Sequence, residues 1–317
     1  MRVTVLAGGV GGSKFLAGLA QEIDPTAVTA VVNTGDDIDL HGLKISPDLD
    51  IVTYTLAGRV DVERGWGFAG DTFACMDVLR AYGQPVWFRL GDRDLATHIY
   101  RTQALRRGQR LTEETETIRQ ALGVQVRILP MADEPVGTYI LIADDGAVRP
   151  VHFQEYLVER GAKDTVRGVE FRGSVQARPT AEVCTALSEA ETIIIAPSNP
   201  IASIGPILAI SGIRRRLAAL QAPVVVVSPI VAGRSLKGPT DAFLRWAKEE
   251  VSPLGVARCY QAILGNVRGM LVDQSDERLV PAIEALGIRV QTGNLVMGDD
   301  ESKRQVARLA RELRNRL

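Results

Sequence analysis

The feature that most constrains this chain is an alternation of short apolar, β-branched runs with stretches of helical periodicity. Residues 28–32, 86–90, 124–129, 192–196, 223–227, 270–272 and 288–290 read as strands buried on both faces. Residues 72–82, 95–107, 112–122, 180–190 and 276–286 lie between them and read as helices. Such a chain predicts an α/β fold: a doubly wound, mostly parallel, Rossmann-like sheet with helices on both faces. The alternation breaks between 134 and 178, where 138–142, 151–158 and 169–171 read as a meander joined by polar turns. Residues 1–133 and 179–317 are therefore expected to form the nucleotide-binding core, with 134–178 as a small inserted α+β subdomain. Residues 302–317 read as a basic amphipathic helix closing the fold.

The first apolar run enters Gly8-Gly9-Val10-Gly11-Gly12-Ser13-Lys14 and then a helical stretch. Glycines let backbone N–H groups approach an anion closely, and the following helix aims its positive end at the same point. The spelling excludes two common motifs. A P-loop needs Gly directly before its Lys, but Ser13 stands there, and Phe15 replaces the metal-binding hydroxyl. The dinucleotide fingerprint fails because Lys14 occupies its third glycine position. An ordinary tight turn would not need so many glycines.

A formal net charge of -1 gives no reason to expect nucleic acid or an anionic membrane as partner. No apolar run reaches the roughly 20 residues of a membrane span, and the start does not read as a signal peptide, so the cytoplasm is the expected location. Cys75, Cys184 and Cys259 are far apart, which argues against a disulfide framework or a structural zinc site.

The second strand ends in Asn33-Thr34-Gly35-Asp36-Asp37. Strand ends of this kind face the ligand crevice, and carboxylates beside phosphates call for a cation, which argues for Mg²⁺. Asp48 and Asp50 are the best further ligands; a solvated acidic turn and a ribose-hydroxyl contact are the competing readings. Trp66 and Phe68, in a glycine loop, suit ring stacking or simple gap filling. Asp92, Arg93 and His98 meet ligand only if their loop lines the crevice, and Asp94 reads as a helix N-cap. A second anion-type turn, Pro197 to Pro206, offers Ser198, Asn199 and Ser203; Arg234 and Lys237 add positive charge nearby. No Ser-His-Asp or Cys-His arrangement stands out, so direct transfer of a phosphoryl-type group is the economical chemistry.

These strings, with His41 to Asp50, Leu90 to His98 and His152-Phe153-Gln154-Glu155, together resemble the 2-phospho-L-lactate transferase family of deazaflavin coenzyme biosynthesis over nearly the whole chain. The resemblance implies a transferase that moves 2-phospholactate or phosphoenolpyruvate from a guanosine-diphosphate donor to the ribityl hydroxyl of the deazaflavin Fo, releasing GMP, in coenzyme F-420 biosynthesis. It implies Mg²⁺ as cofactor and a homodimer. Residue by residue, Gly9, Gly11, Gly12 and Lys14 would hold phosphates, with Ser198, Asn199 and Ser203 on the guanosine-diphosphate side. Asp36, Asp37 and Asp50 would be catalytic, Asp36 and Asp50 binding the metal, and His41, Trp66, Asp92 and Arg93 would face the deazaflavin.

Two other classes compete. A UDP-sugar-binding regulatory protein of the gluconeogenesis-factor type shares the glycine-rich start and the Asp-Asp turn, but the His41–Asp50 and Leu90–His98 strings favour the transferase. A nicotinamide-dependent dehydrogenase is weakened by Lys14 in place of glycine.

Overall fold

In the computed structural model, which describes residues 1–144 and 146–317, the strands are β1 (Val3–Ala7), β2 (Val28–Val32), β3 (Ile38–Leu40), β4 (Leu43–Ile45), β5 (Arg127–Pro130), β6 (Gly137–Asp144) and β7 (Ala147–His152). They continue with β8 (Val166–Arg172), β9 (Thr192–Ile195), β10 (Val224–Val227), β11 (Ile230–Val231), β12 (Arg234–Ser235), β13 (Val267–Asp273) and β14 (Arg289–Gly293). Seven of them form one sheet in the order β14-β13-β10-β9-β1-β2-β5. Every neighbouring pair in it is parallel.

The sequence dictates this through a period of two. Ile193 and Ile195 of β9 and Val224 and Val226 of β10 enter one core. Ile194, Val225 and Val227 enter the other, on the opposite face of the sheet. Each large aliphatic side chain so buried contributes roughly 1.5–3 kcal/mol, which is why the central strands carry almost no polar residue. The first core is closed by helices Ala181–Glu189 and Pro253–Leu264. The second is closed by helices Gly9–Glu22 and Asp300–Arg314. These last two approach closely, because a β-carbon on Gly18 would run into the Lys303 carbonyl.

The expected architecture holds, with two local differences. Residues 86–90 form no strand but an irregular segment after Pro85, a residue that cannot donate to a ladder. Residues 151–158 are strand only to His152; Glu155–Glu159 wind into a single π-helical turn, a device often found beside functional sites. Within 134–178 lies the antiparallel sheet β7-β6-β8. Its Ile140, Val151, Phe153 and Tyr156 pack with Ala202 and Phe243 from outside that stretch. Among the described residues, no helix is long and apolar enough to cross a membrane.

Candidate active site

The chain runs from β1 outward to β2 and β5, then returns to β9 on the other side of β1 and proceeds to the opposite edge. The carboxyl ends of β1 and β9 therefore flank a topological switch point, where open α/β sheets bind ligands. A cavity of about 910 Å³ opens there.

Its floor is the glycine turn. Gly9 starts the first helix with φ +65, a backbone that favours glycine. Gly11 is required by packing, since a β-carbon there would collide with the Pro197 carbonyl. The Ser198 hydroxyl accepts from Gly8 N–H (3.2 Å) and donates to Gly8 C=O (2.7 Å), stitching the two loops together. Asn199 Oδ1 accepts from the N–H groups of Ile201 (2.9 Å) and Ala202 (3.0 Å), while its Nδ2 is buried without a partner. Lys14 reaches into the cavity, and its ammonium donates to Met297 C=O at 2.9 Å. Burial first, and then the nearby Lys237 ammonium, pull the Lys14 pKa below its ordinary value. An anion here would meet a helix N-terminus and two cations together.

The acidic wall adjoins this floor. Asp48, in the first turn of helix Pro47–Leu56, accepts from Gly9 N–H (2.8 Å) and from Asn33 Nδ2 (2.9 Å). Asp36 is buried, and its Oδ1 has no hydrogen-bond partner. Burial, then the Asp48 charge, push the Asp36 carboxyl well above its usual range; burial pushes Asp48 up to about 6. Asp37 is raised too, chiefly by burial, while its Oδ2 accepts from Ser46 Oγ (2.7 Å). Two buried carboxylates on a cavity wall, one with an orphaned oxygen, form a hard-oxygen donor set that fits Mg²⁺.

Asp50 is engaged differently. Both of its oxygens accept from the Arg101 guanidinium, which is itself buried. His98 Nδ1 lies 3.7 Å from Asp50 Oδ2, and His98 Nε2 lies 3.3 Å from Asp94 Oδ1. Asp94 also accepts from the Tyr54 hydroxyl at 2.7 Å. Burial would raise the Asp94 carboxyl, but the hydrogen bond and charge of His98, with Tyr54, hold it below its ordinary value. Asp50, Asp94 and His98 lie close enough to share an ion. Arg101, 3.4 Å from His98 Nδ1, already supplies the positive charge at that point.

The remaining wall is apolar: Trp66, Trp87, Phe88, Phe153, Leu157 and Val158. Trp66 is held by Phe73 edge-on, at 6.1 Å between ring centroids, and by Arg64 at 5.5 Å. Phe68 packs on Tyr54 instead, at 4.2 Å.

Of the residues singled out in the sequence, Gly9, Gly11, Lys14, Asp36, Asp48, Asp50, Trp66, Ser198, Asn199 and Ser203 line the cavity together. Gly12, Asp37, His41, Asp92 and Arg93 are not among its lining residues. Gly12 packs towards Ser198 and Ala7. His41 occupies the β3–β4 turn with φ 51. Asp92 accepts from the N–H groups of Ala74 and Cys75 at 3.0 Å each, so it closes the start of helix Ala74–Ala81. Arg93 donates to Ala69 C=O (3.0 Å), and Asp94 is the first residue of its helix, not the cap. Sequence reasoning missed Tyr54 and Arg101. It also missed the roles of Trp87 and Phe88, whose segment it read as a strand.

The raised Asp48 pKa has a sign that can be checked in chelator-treated protein. A carboxyl raised on folding binds protons more tightly in the native state, so its contribution to stability falls as pH rises from about 4, the unfolded value, through about 6. The difference in unfolding free energy between the unaltered protein and Asp48→Asn is expected to shrink or turn negative over that window. A difference that is constant with pH in urea titrations would contradict this.

The fold is thus a parallel doubly wound sheet whose switch point brings a glycine-rich helix N-terminus, a buried carboxylate pair and an aromatic wall into one cavity. The family profile of 2-phospho-L-lactate transferase CofD matches residues 3–303. The chain is 44% identical over 314 residues to a phosphoenolpyruvate transferase of Streptomyces griseus, covering 99% of this chain and 98% of that one. It is 40% identical to a phosphoenolpyruvate transferase of Mycolicibacterium smegmatis, covering 99% and 98%. The protein belongs to the 2-phospho-L-lactate transferase family and is a transferase. Its fold is similar to that of a UPF0052 family protein from Bacillus halodurans, with a TM-score of 0.62 at 15% identity and 97% of each chain covered.

Proposed function

We propose that the protein moves a phospho-carboxylate from a guanosine-diphosphate ester to the ribityl hydroxyl of the deazaflavin Fo, releasing GMP, in coenzyme F-420 biosynthesis. The observation that carries this reading is the meeting, in one cavity, of a glycine-rich helix N-terminus with Lys14, a buried carboxylate pair and an aromatic wall. The names of the relatives at 40–44% identity favour enolpyruvate over lactate as the three-carbon acid.

In this reading the donor's phosphates lie over the first turn of helix Gly9–Glu22 and against Lys14, while Trp66, Trp87 and Phe88 hold the deazaflavin ring by its faces. The hydroxyl oxygen attacks the phosphorus nearest the acid, the bond to the bridging oxygen breaks with its electron pair, and GMP departs. Asp36 Oδ1, which has no hydrogen-bond partner within the protein, takes the hydroxyl proton. Asp36 and Asp48 would hold Mg²⁺, which supplies charge neutralisation on the phosphates when bound. A homodimer and a cytoplasmic setting complete the proposal.

The test is mass spectrometry of the product formed from Fo and each guanylylated acid in turn. Enolpyruvyl-phospho-Fo together with GMP is the expected result. Absence of any Fo adduct, with saturable UDP-sugar binding instead, would overturn the reading in favour of a regulatory sugar-nucleotide binder.

A further inference from the structure

Two of the cavity's cations have nothing to neutralise them. Lys44 pairs with Asp39 and Lys303 with Asp300, whereas Lys14 and Lys237 have no ion-pair partner among the described residues. Both line the cavity. They are near enough for the Lys237 charge to lower the Lys14 pKa, after burial. Like charges brought together in a cleft repel, and this arrangement costs stability unless an anion fills it.

The position of Lys237 is built. It stands at the apex of the turn after β12, where Gly238 has φ +74. The base of that turn is fixed: Ser235 N–H donates to Asp241 Oδ1 (2.9 Å), and Ser235 Oγ donates to Gly238 C=O (3.2 Å). From there the side chain crosses to the opposite strap, because a β-carbon on Gly65 would lie 2.6 Å from Lys237 Nζ. Gly65 itself has φ +73 and directly precedes Trp66. The ammonium therefore bridges from the loop that carries Leu236 to the strap that carries Trp66, and all three residues line the cavity.

We propose that Lys237 is a second phosphate-binding residue, which closes with Lys14 on the diphosphate of the donor from the side opposite the glycine turn. The inference rests on the proposed function for the donor's identity, but its chemistry requires only a diphosphate. A lysine suits this position because it acts as a mobile point charge and imposes no fixed fork geometry. During transfer, negative charge builds on the departing nucleoside monophosphate. Lys237 meets that charge.

The experiment is calorimetric titration of inorganic pyrophosphate into chelator-treated protein, which needs neither Fo nor turnover. Lys237→Met is expected to weaken pyrophosphate binding by about tenfold, the scale of one charged hydrogen bond at a partly exposed site. Lys237→Arg should restore most of it, and Lys163→Met, outside the cavity, should bind as the unaltered protein does. With substrates, Lys237→Met should raise the KM for the guanylylated donor and leave that for Fo unchanged. Pyrophosphate affinity unchanged in Lys237→Met, or reduced equally in Lys163→Met, would overturn the proposal. If no Fo adduct forms at all, the calorimetric result still decides the role of Lys237.

Discussion

Asp36→Asn is expected to lower turnover by roughly 10²- to 10⁴-fold, the range for losing a positioned general base, while leaving the urea unfolding midpoint at or above that of the unaltered protein. The two halves of this expectation come from one observation. Asp36 is buried on the cavity wall with an orphaned oxygen, next to Asp48. Burial and the Asp48 charge make its ionised form costly, so a neutral isostere relieves the fold and removes the proton acceptor. A purely structural carboxylate would give the opposite pattern: activity retained in proportion to folded protein, and stability lost. Product formation measured by mass spectrometry, alongside urea titrations near neutral pH, separates the two. Turnover within tenfold of the unaltered enzyme would remove Asp36 from the chemistry.

The sheet was legible because its central strands are buried on both faces and leave unbroken aliphatic runs, as in Val224–Val227. Residues 86–90 imitate such a run, but their side chains serve the cavity and a small satellite core around Leu90 instead of a sheet. Periodicity cannot separate these cases. The glycine turn and the Pro197 turn could be placed together, since both follow strands that meet at the switch point. Other pairings were hidden by distance along the chain. Asp92 looks like a ligand-facing loop residue, yet its oxygens cap a helix that starts 18 positions earlier. One local signal was available and unused: Ser46-Pro47 places proline at the first helical position, which puts Asp48 and Asp50 in a helix's first turn, not in an acidic loop. Likewise Asp94, His98 and Arg101 share a helical face by their spacing, although nothing local says that Asp50 lies against it.

That face carries the largest expected effect on stability. Arg101 and Asp50 are buried, and the guanidinium holds both carboxylate oxygens, so the pair resists water far more than the exposed cluster of Arg110 with Glu113 and Glu182 does. Removing one member strands the other charge in a medium that solvates it poorly, whereas replacing both leaves no charge to solvate. Arg101→Met is therefore expected to cost about 3–5 kcal/mol of unfolding free energy, and Asp50→Asn combined with Arg101→Met to recover most of that loss. The corresponding change at Arg110 should be small, because its partners stay hydrated either way. Urea titrations of the single and double variants give the coupling directly. A single Arg101→Met variant within about 1 kcal/mol of the unaltered protein would mean that Asp50 finds another partner, and His98 Nδ1 already stands 3.7 Å from its Oδ2.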